Sequence, residues 1–194
     1  MATTTRRTIS QFKSKLIGGG ARPNLFEVEI TKPAKLPAAS SWDAGVLSFL
    51  CKAASLPASN IAAIDVPFRG RIFKVAGDRT IDTWTVTIIN DEDFLIRKGF
   101  EDWMQLIAHL DGNDGATKPD AYMHSAIVNQ LGRGDTASSE NSEKGKTTQV
   151  VLKKYKFIDI FPTNISAIDL SYDSGDTIEE YTVEFAVNNF ERVD

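Results

Sequence analysis

The sequence predicts a mainly β fold: two antiparallel sheets forming a β-sandwich or partial barrel, with one flanking α-helix. Three observations predict it. Several short segments alternate apolar and polar residues at period two, between turn-forming Gly, Pro, Asn and Asp clusters. One long segment, Asn90 to Leu110, carries a helical apolar stripe instead. Strands and helices do not alternate in βαβ fashion, which argues against a parallel, doubly wound sheet.

The elements follow in chain order. Thr8 to Ile17 places Ile9, Phe12 and Leu16 at helical spacing, which predicts a short amphipathic helix. Gly18, Gly19 and Gly20 end it as a hinge. No strand precedes them and no Lys-Ser/Thr pair follows, so the phosphate-loop pattern is absent. Leu25 to Thr31 sets Phe26, Val28 and Ile30 on one face of a strand and Glu27 and Glu29 on the other. Lys32 to Gly45 is a Pro-, Ala- and Ser-rich loop. Val46 to Ala54 is apolar enough for a strand covered on both faces, broken by Leu56-Pro57.

Ile61 to Val75 predicts a hairpin with Arg69-Gly70 near its tip. Pro67 lacks a ladder donor, so its arm belongs at an edge or beyond the main sheet. Gly77-Asp78-Arg79 reads as a polar turn ahead of a strand in which Trp84, Val86 and Ile88 share a face. For Asn90 to Leu110, Asn90 is the expected N-cap and Asp91, Glu92 and Asp93 complement the helix dipole. Ile96, Phe100, Trp103, Ile107 and Leu110 form its apolar stripe, and Asp111 to Gly115 stops it. Ser125 to Leu131 and Gln149 to Phe161 are expected strands, separated by a polar insertion loop at 132–148. Pro162-Thr163-Asn164 is an expected turn, Ile168 to Tyr172 a short strand, and Asp173 to Asp176 another turn. A last strand places Tyr181, Val183, Phe185 and Val187 on one face. The expected organisation is an N-terminal extension (1–24), a β-sandwich domain (25–190) and a short C-terminal tail (191–194).

Composition narrows the function classes. The 194 residues are 42% hydrophobic and 25% charged, an ordinary globular balance. No apolar run approaches the ~20 residues of a membrane helix, so no membrane anchor is expected. The N-terminus lacks the apolar core of a secretory signal. A single cysteine, Cys51, excludes an internal disulfide and a thiolate metal cluster. The net charge of −4 argues against a protein that grips nucleic acid, though not against one that DNA slides past.

The sequence offers no constellation for catalysis. His109 and His124 form no metal-ligand spacing, and no G-x-S-x-G elbow is present. Cys51 reads as a small core residue. The carboxylates at 91–93 and at Glu179-Glu180 suit a helix start and a solvated face. Arg133-Gly134-Asp135 matches an adhesion tripeptide and carries little information at three residues. No catalytic residue, cofactor or metal is expected. The Gly77-Asp78-Arg79 segment admits two structural readings, a lock within the chain or a lock between subunits, with Arg79 offering a planar fork for a carboxylate.

A set of ordered motifs adds a resemblance. They are A-R-P-N-L-F-E-V-E-I (21–30), C-K-A-A-S-L-P-A (51–58), V-A-G-D-R-T-I-D-T-W-T-V-T-I-I-N-D-E (75–92), K-P-D-A-Y (118–122), S-A-I-V-N-Q (125–130), F-P-T-N-I (161–165) and L-S-Y-D-S-G-D-T-I-E-E-Y-T-V-E-F (170–185). Together they resemble the major tail tube proteins of contractile-tailed, myovirus-type bacteriophages, from about Ala21 to Phe190. The leader before Ala21 and the segment 132–148 depart from that pattern. The resemblance implies a tail-tube fold, shared with secretion tubes, and a structural subunit whose hexameric rings stack into a hollow conduit. The implied partners are copies of itself, the contractile sheath protein, the tape-measure protein, and baseplate and tail-terminator proteins. Genomic DNA would pass through the lumen without specific binding. The implied location is the virion tail, assembled in the host bacterial cytoplasm. The inner tube of a phage-tail-like bacteriocin or a type VI-like secretion system is the alternative context. A ligand-binding or hydrolytic β-sandwich is the alternative of a different class. Candidate inter-subunit or inter-ring residues are Pro67, Arg69, Gly70, Gly77, Asp78 and Arg79.

Overall fold

The structure is a computed structural model that describes residues 7–16, 20–33, 35–36, 42–112, 114–135 and 149–193. Gly18, Gly19 and most of the expected insertion loop, 136–148, lie outside the described residues. The chain is mainly antiparallel β with a flanking helix, as its patterning predicts. Its strands divide unequally, however. Six form one strongly curled sheet that nearly closes on itself, and two form a separate hairpin sheet.

Helix α1 (Ile9–Lys15) opens the described chain, held by a reciprocal capping box between Thr8 and Gln11. Strand β1 (Phe26–Ile30) follows, with Val28 and Ile30 buried as period two requires. Val46 to Ala54 is not one strand but helix α2 (Ala44–Leu50) followed by strand β2 (Cys51–Ala54). The Asp43 carboxylate accepts from the backbone N–H of Gly45 and of Val46, at 2.8 and 3.2 Å, which starts the helix. Only one side of α2 packs inward: Leu47 is fully buried, whereas Phe49 is 91% exposed.

Strands β3 (Ser59–Phe68) and β4 (Arg71–Ile81) form the separate hairpin. Strand β5 (Trp84–Ile89) returns to the main sheet, burying Trp84, Val86 and Ile88. The long helix is shorter than expected. Helix α3 spans Leu95–Ile107, about 20 Å at 1.5 Å per residue. Asn90 is not its cap. The Asn90 backbone N–H bonds Glu179 O and its side chain donates to the Glu179 carboxylate, which continues the β5–β8 pairing. Asp91 to Asp93 therefore make a turn, and Phe94 enters the helix in a left-handed conformation, φ 53°, with no side-chain cap. Ile96, Phe100 and Trp103 keep their inward stripe, but Leu110 lies beyond the helix and is exposed.

A short helix α4 (Pro119–Tyr122) leads into β6 (His124–Asp135), β7 (Gln149–Ile165) and β8 (Glu180–Val193). Positions 132–135, expected as loop, extend β6. The expected turn at Pro162-Thr163-Asn164 is a bulge: Pro162 pairs with Phe185 and Asn164 with Glu184, which leaves Thr163 as the extra residue. A bulge absorbs the proline without ending the strand. Ile168 to Tyr172 is loop rather than strand.

The curled sheet has the order β1-β6-β7-β8-β5-β2, all antiparallel. Its concave face and α3 enclose the core. Trp84 stacks on Phe157 at 4.4 Å between ring centroids and lies 5.3 Å from Phe185. Trp103 donates its indole N–H to Tyr122 O at 2.8 Å. Trp42 closes the other side of α3, edge-on to Phe100 and Trp103. Gly99 makes room for that ring, since a Cβ there would sit 2.8 Å from Trp42 Cε3. Gly99→Val is accordingly expected to lose about 1–3 kcal/mol by overpacking. A urea titration reads it, and a loss below ~0.5 kcal/mol would show that Trp42 yields freely.

Candidate functional site

Cys51 and His124 are packed into the structure. Cys51 is buried at the start of β2, and burial pushes its thiol up from 9.0 to about 11. The folded chain therefore favours the protonated thiol. Its stabilising contribution is complete below pH ~9 and is lost as pH climbs toward about 11. Native protein at pH 8 is expected to resist thiol-modifying reagents that label the urea-unfolded chain at once. Equal labelling rates in the two states would contradict the burial.

His124 is half-buried against the edge of Trp103, and desolvation lowers its pKa. His109 is exposed beyond α3. Among the described residues no three His, Cys, Asp or Glu side chains gather as metal ligands.

What stands out instead is unfinished surface. The hairpin β3–β4 leaves the barrel at the end of the sheet where β5 begins. Its tip is a two-residue turn with Arg69 at φ 45° and Gly70 at φ 80°, the mirror-image turn that suits hairpin twist. Cross-strand partners share a face. Ile64 pairs with Val75, Val66 with Phe73 and Phe68 with Arg71. One face thus presents Ile64, Val66, Phe68, Phe73 and Val75, all exposed; Phe68 and Phe73 are 65% and 66% accessible. The other face carries the Asp65–Lys74 ion pair at 2.7 Å, with Pro67 opposite Ile72. A two-stranded sheet with an apolar face is marginal on its own in water.

The candidate residues fall at two places on this hairpin. Pro67, Arg69 and Gly70 lie at the distal end. Gly77, Asp78 and Arg79 do not form a turn. They lie inside β4, roughly 25 Å along the strand from the tip. Ile61 pairs with Arg79 and Ala63 with Ala76, so Gly77 and Asp78 together oppose Ala62 in a bulge. Gly77 has no left-handed backbone angle. Its role is steric, because a Cβ would meet Ala62 O at 3.0 Å and Ile64 Cγ1 at 3.1 Å.

Two further features lack a partner among the described residues. β8 pairs with β5 only from Glu180 to Phe185, yet it runs on to Val193 along β7. From Ala186 onward, one edge of β8 has no ladder partner among the described residues. At the opposite end of the sheet, where Ile89 meets Glu180, residues 166–179 form a loop that exposes Leu170, Tyr172 and Ile178. The expected short strand, Ile168 to Tyr172, is part of this loop. Its signal was available: Asp169, Asp173, Asp176 and Glu179 occur there without one Lys or Arg.

This organisation matches known proteins. The model for phage tail tube protein matches residues 21–192. The chain belongs to the phage tail tube protein family. It is 36% identical to the tail tube protein gp19 of Enterobacteria phage T4 over 174 residues, covering 90% of this chain and 93% of that one. Among solved structures, a chain of the anti-feeding prophage baseplate shares the fold at a TM-score of 0.59 and 8% identity, covering 90% of this chain and 95% of that one. A chain of the sheath–tube complex of an extracellular contractile injection system, in the extended state, gives 0.50 at 12% identity, with 97% and 99% covered. The expected family resemblance is thus established, and so is a structural role as a tail tube subunit, a component of the virion. The curled sheet of this tail tube chain, nearly closed and flanked by α3, is the family's fold.

Proposed function

We propose that this subunit assembles with copies of itself into hexameric rings that stack as the inner tube of a contractile phage tail, and that it acts by shape without catalysis. The observation that carries this reading is the pair of unfinished surfaces on one chain: an open edge on β8 and a projecting hairpin with an exposed apolar face. An open edge is a template for another strand, and pairing it with a neighbouring copy joins sheets across subunits. Contacts that use different surfaces on the two partners close into rings or propagate as stacks, according to the rotation between subunits.

Within this reading the tube encloses the tape-measure protein during assembly and conducts the genome during ejection. The sheath, baseplate and tail-terminator proteins are its neighbours, and assembly takes place in the host cytoplasm. A sheath–tube complex and a baseplate among the fold's solved relatives support those neighbours as proposals. The 36% identity to the T4 protein favours a phage tail over a bacteriocin or secretion tube. Pro67, Arg69 and Gly70 on the hairpin, with Gly77, Asp78 and Arg79 shaping its bulge, remain the candidate inter-subunit and inter-ring residues.

The bore requires a surface that does not hold phosphate. The outward face of the curled sheet places Glu29, Ile127, Lys156 and Glu191 in one cross-strand row and Glu27, Lys154 and Val193 in the next, where Asn129 between them is buried. Glu184 extends the acidic side toward β5. A lumen lined by this face carries more carboxylates than ammonium groups, which lets DNA pass without condensing on the wall.

Electron microscopy and analytical ultracentrifugation of the purified chain test the reading. Rings near six subunits, and tubes built from them, are expected as concentration rises or when a tail initiator complex is supplied. Monomers alone under all these conditions would refute it.

A further inference from the structure

The two ends of the sheet carry complementary surfaces. At the β5-start end projects the hairpin. Between Ser59 and Ile81 it holds Arg69, Arg71, Lys74 and Arg79 against Asp65 and Asp78. Arg69 lies over the Phe68 ring at 5.4 Å, and neither it nor Arg71 nor Arg79 meets a carboxylate among the described residues. Arg71 belongs to the apolar face, opposite Phe68. The hairpin thus presents a greasy strip tipped with guanidinium groups, on a chain whose overall charge is negative.

At the other end lies the 166–179 loop. Leu170 is 80% exposed, Ile178 is 73% exposed and Tyr172 is fully exposed. Around them stand Asp169, Asp173, Asp176 and Glu179. Glu179 accepts from the Asn90 amide, but the other three carboxylates meet no cation among the described residues. The loop is therefore an apolar cluster ringed with negative charge.

We infer that the apolar face of the β3–β4 hairpin of one subunit seats on the 166–179 loop of a second copy of this chain. Phe68, Phe73 and Val66 meet Leu170, Tyr172 and Ile178, while Arg69 and Arg71 pair with Asp173 and Asp176. This deepens, and rests on, the tube reading above by naming the surface that receives the hairpin. Three observations select the occupant. Charge is opposite on the two patches, so encounter is steered and wrong docking is penalised. Apolar side chains are exposed on both, and each covers the other. The two surfaces also lie at opposite ends of the strands: Trp84 pairs with Phe185 beside the hairpin, and Ile89 with Glu180 beside the loop. β5 spans about 20 Å between them. Donor at one pole and receptor at the other is the arrangement that propagates head to tail without limit, which is what a stack of rings needs.

Charge reversal in full-length protein tests the inference. Arg69→Glu with Arg71→Glu is one variant, Asp173→Lys with Asp176→Lys the second, and all four substitutions in one chain the third. Either pair alone is expected to lower the yield of sedimentable tubes at least about tenfold, with circular dichroism unchanged, and the combined variant to recover most of it. A disulfide trap gives a second readout. With Cys51→Ala, Phe73→Cys and Tyr172→Cys in one chain, mild oxidation of assembled tubes is expected to link subunits into long covalent series. Wild-type tube yield from either reversed pair would overturn the inference, as would a combined variant no better than the single pairs. Efficient trapping of Phe73→Cys by Leu110→Cys in place of Tyr172→Cys would do the same. In each of these cases the unaltered chain still forms tubes and the tube reading stands. If the unaltered chain makes neither rings nor tubes, the tube reading itself fails.

Discussion

Trp84→Ala is expected to remove about 3–5 kcal/mol of folding stability, a large share of what a domain of this size holds. Trp84 is 1% exposed and stacks on Phe157 and against Phe185, at the point where β5, β7 and β8 converge on the core. Its indole N–H also donates to Ser55 O at 2.9 Å, which fixes the chain between β2 and the hairpin. Truncation therefore opens a cavity the size of an indole and strands a carbonyl in the same step. Trp84→Phe keeps most of the stacking and loses the hydrogen bond and part of the ring volume, so its cost should be nearer 1–2 kcal/mol. Urea titration of the unassembled subunit measures both. A Trp84→Ala loss below about 1 kcal/mol would mean that this corner of the barrel repacks freely.

Removing the hairpin is expected to have the opposite profile: little effect on the fold and total loss of tubes. The two ends of the hairpin meet, since the Asp82 N–H lies 3.4 Å from Ala58 O. A two-residue Asn-Gly loop in place of Ser59–Ile81 therefore closes without strain on the barrel. The deletion takes away the Asn60–Asp82 hydrogen bonds and a sheet that pairs only with itself. Thermal unfolding of the shortened chain should shift by only a few degrees, corresponding to about 1 kcal/mol or less. Sedimentable tubes should vanish at every concentration. Normal tubes from this variant would remove the hairpin from the assembly, and an unfolded product would make it part of the core.

The contrast between these two substitutions shows what hydropathy conveys. Tyr181, Val183 and Phe185 alternate with Thr182 and Glu184, so β8 was legible as a half-buried strand, and its inner face is the core. The helical stripe of Ile96, Phe100 and Trp103 was legible for the same reason. Val46 to Ala54 was not, because a short apolar run has no period that separates a strand from a helix turn followed by a strand; Asp43 decides it through hydrogen bonds. Gly77-Asp78 was misread as a turn because bulges draw on the same residue types as turns. Phe94 in a left-handed conformation left no trace in the sequence, since the surrounding turn imposes it. The assembly surface was half legible. The hairpin and its Arg69-Gly70 tip followed from turn chemistry. That Ile64, Val66, Phe68 and Phe73 face outward did not, because a side chain reserved for a neighbour has the same hydropathy as one reserved for the core.

Amide hydrogen exchange, compared between unassembled subunit and purified tubes, tests most directly whether copies of the chain complete one another's sheets. In the free subunit, the outward amides of Ala186 to Val193 and those of the 59–81 hairpin should exchange rapidly, while Trp84 to Ile89 stays protected. In the tube, both exposed regions should become protected by at least two orders of magnitude, a change of about 2.7 kcal/mol. Outward amides of Ala186 to Val193 that are already protected in the free subunit, or still unprotected in the tube, would show that no neighbouring strand completes this edge.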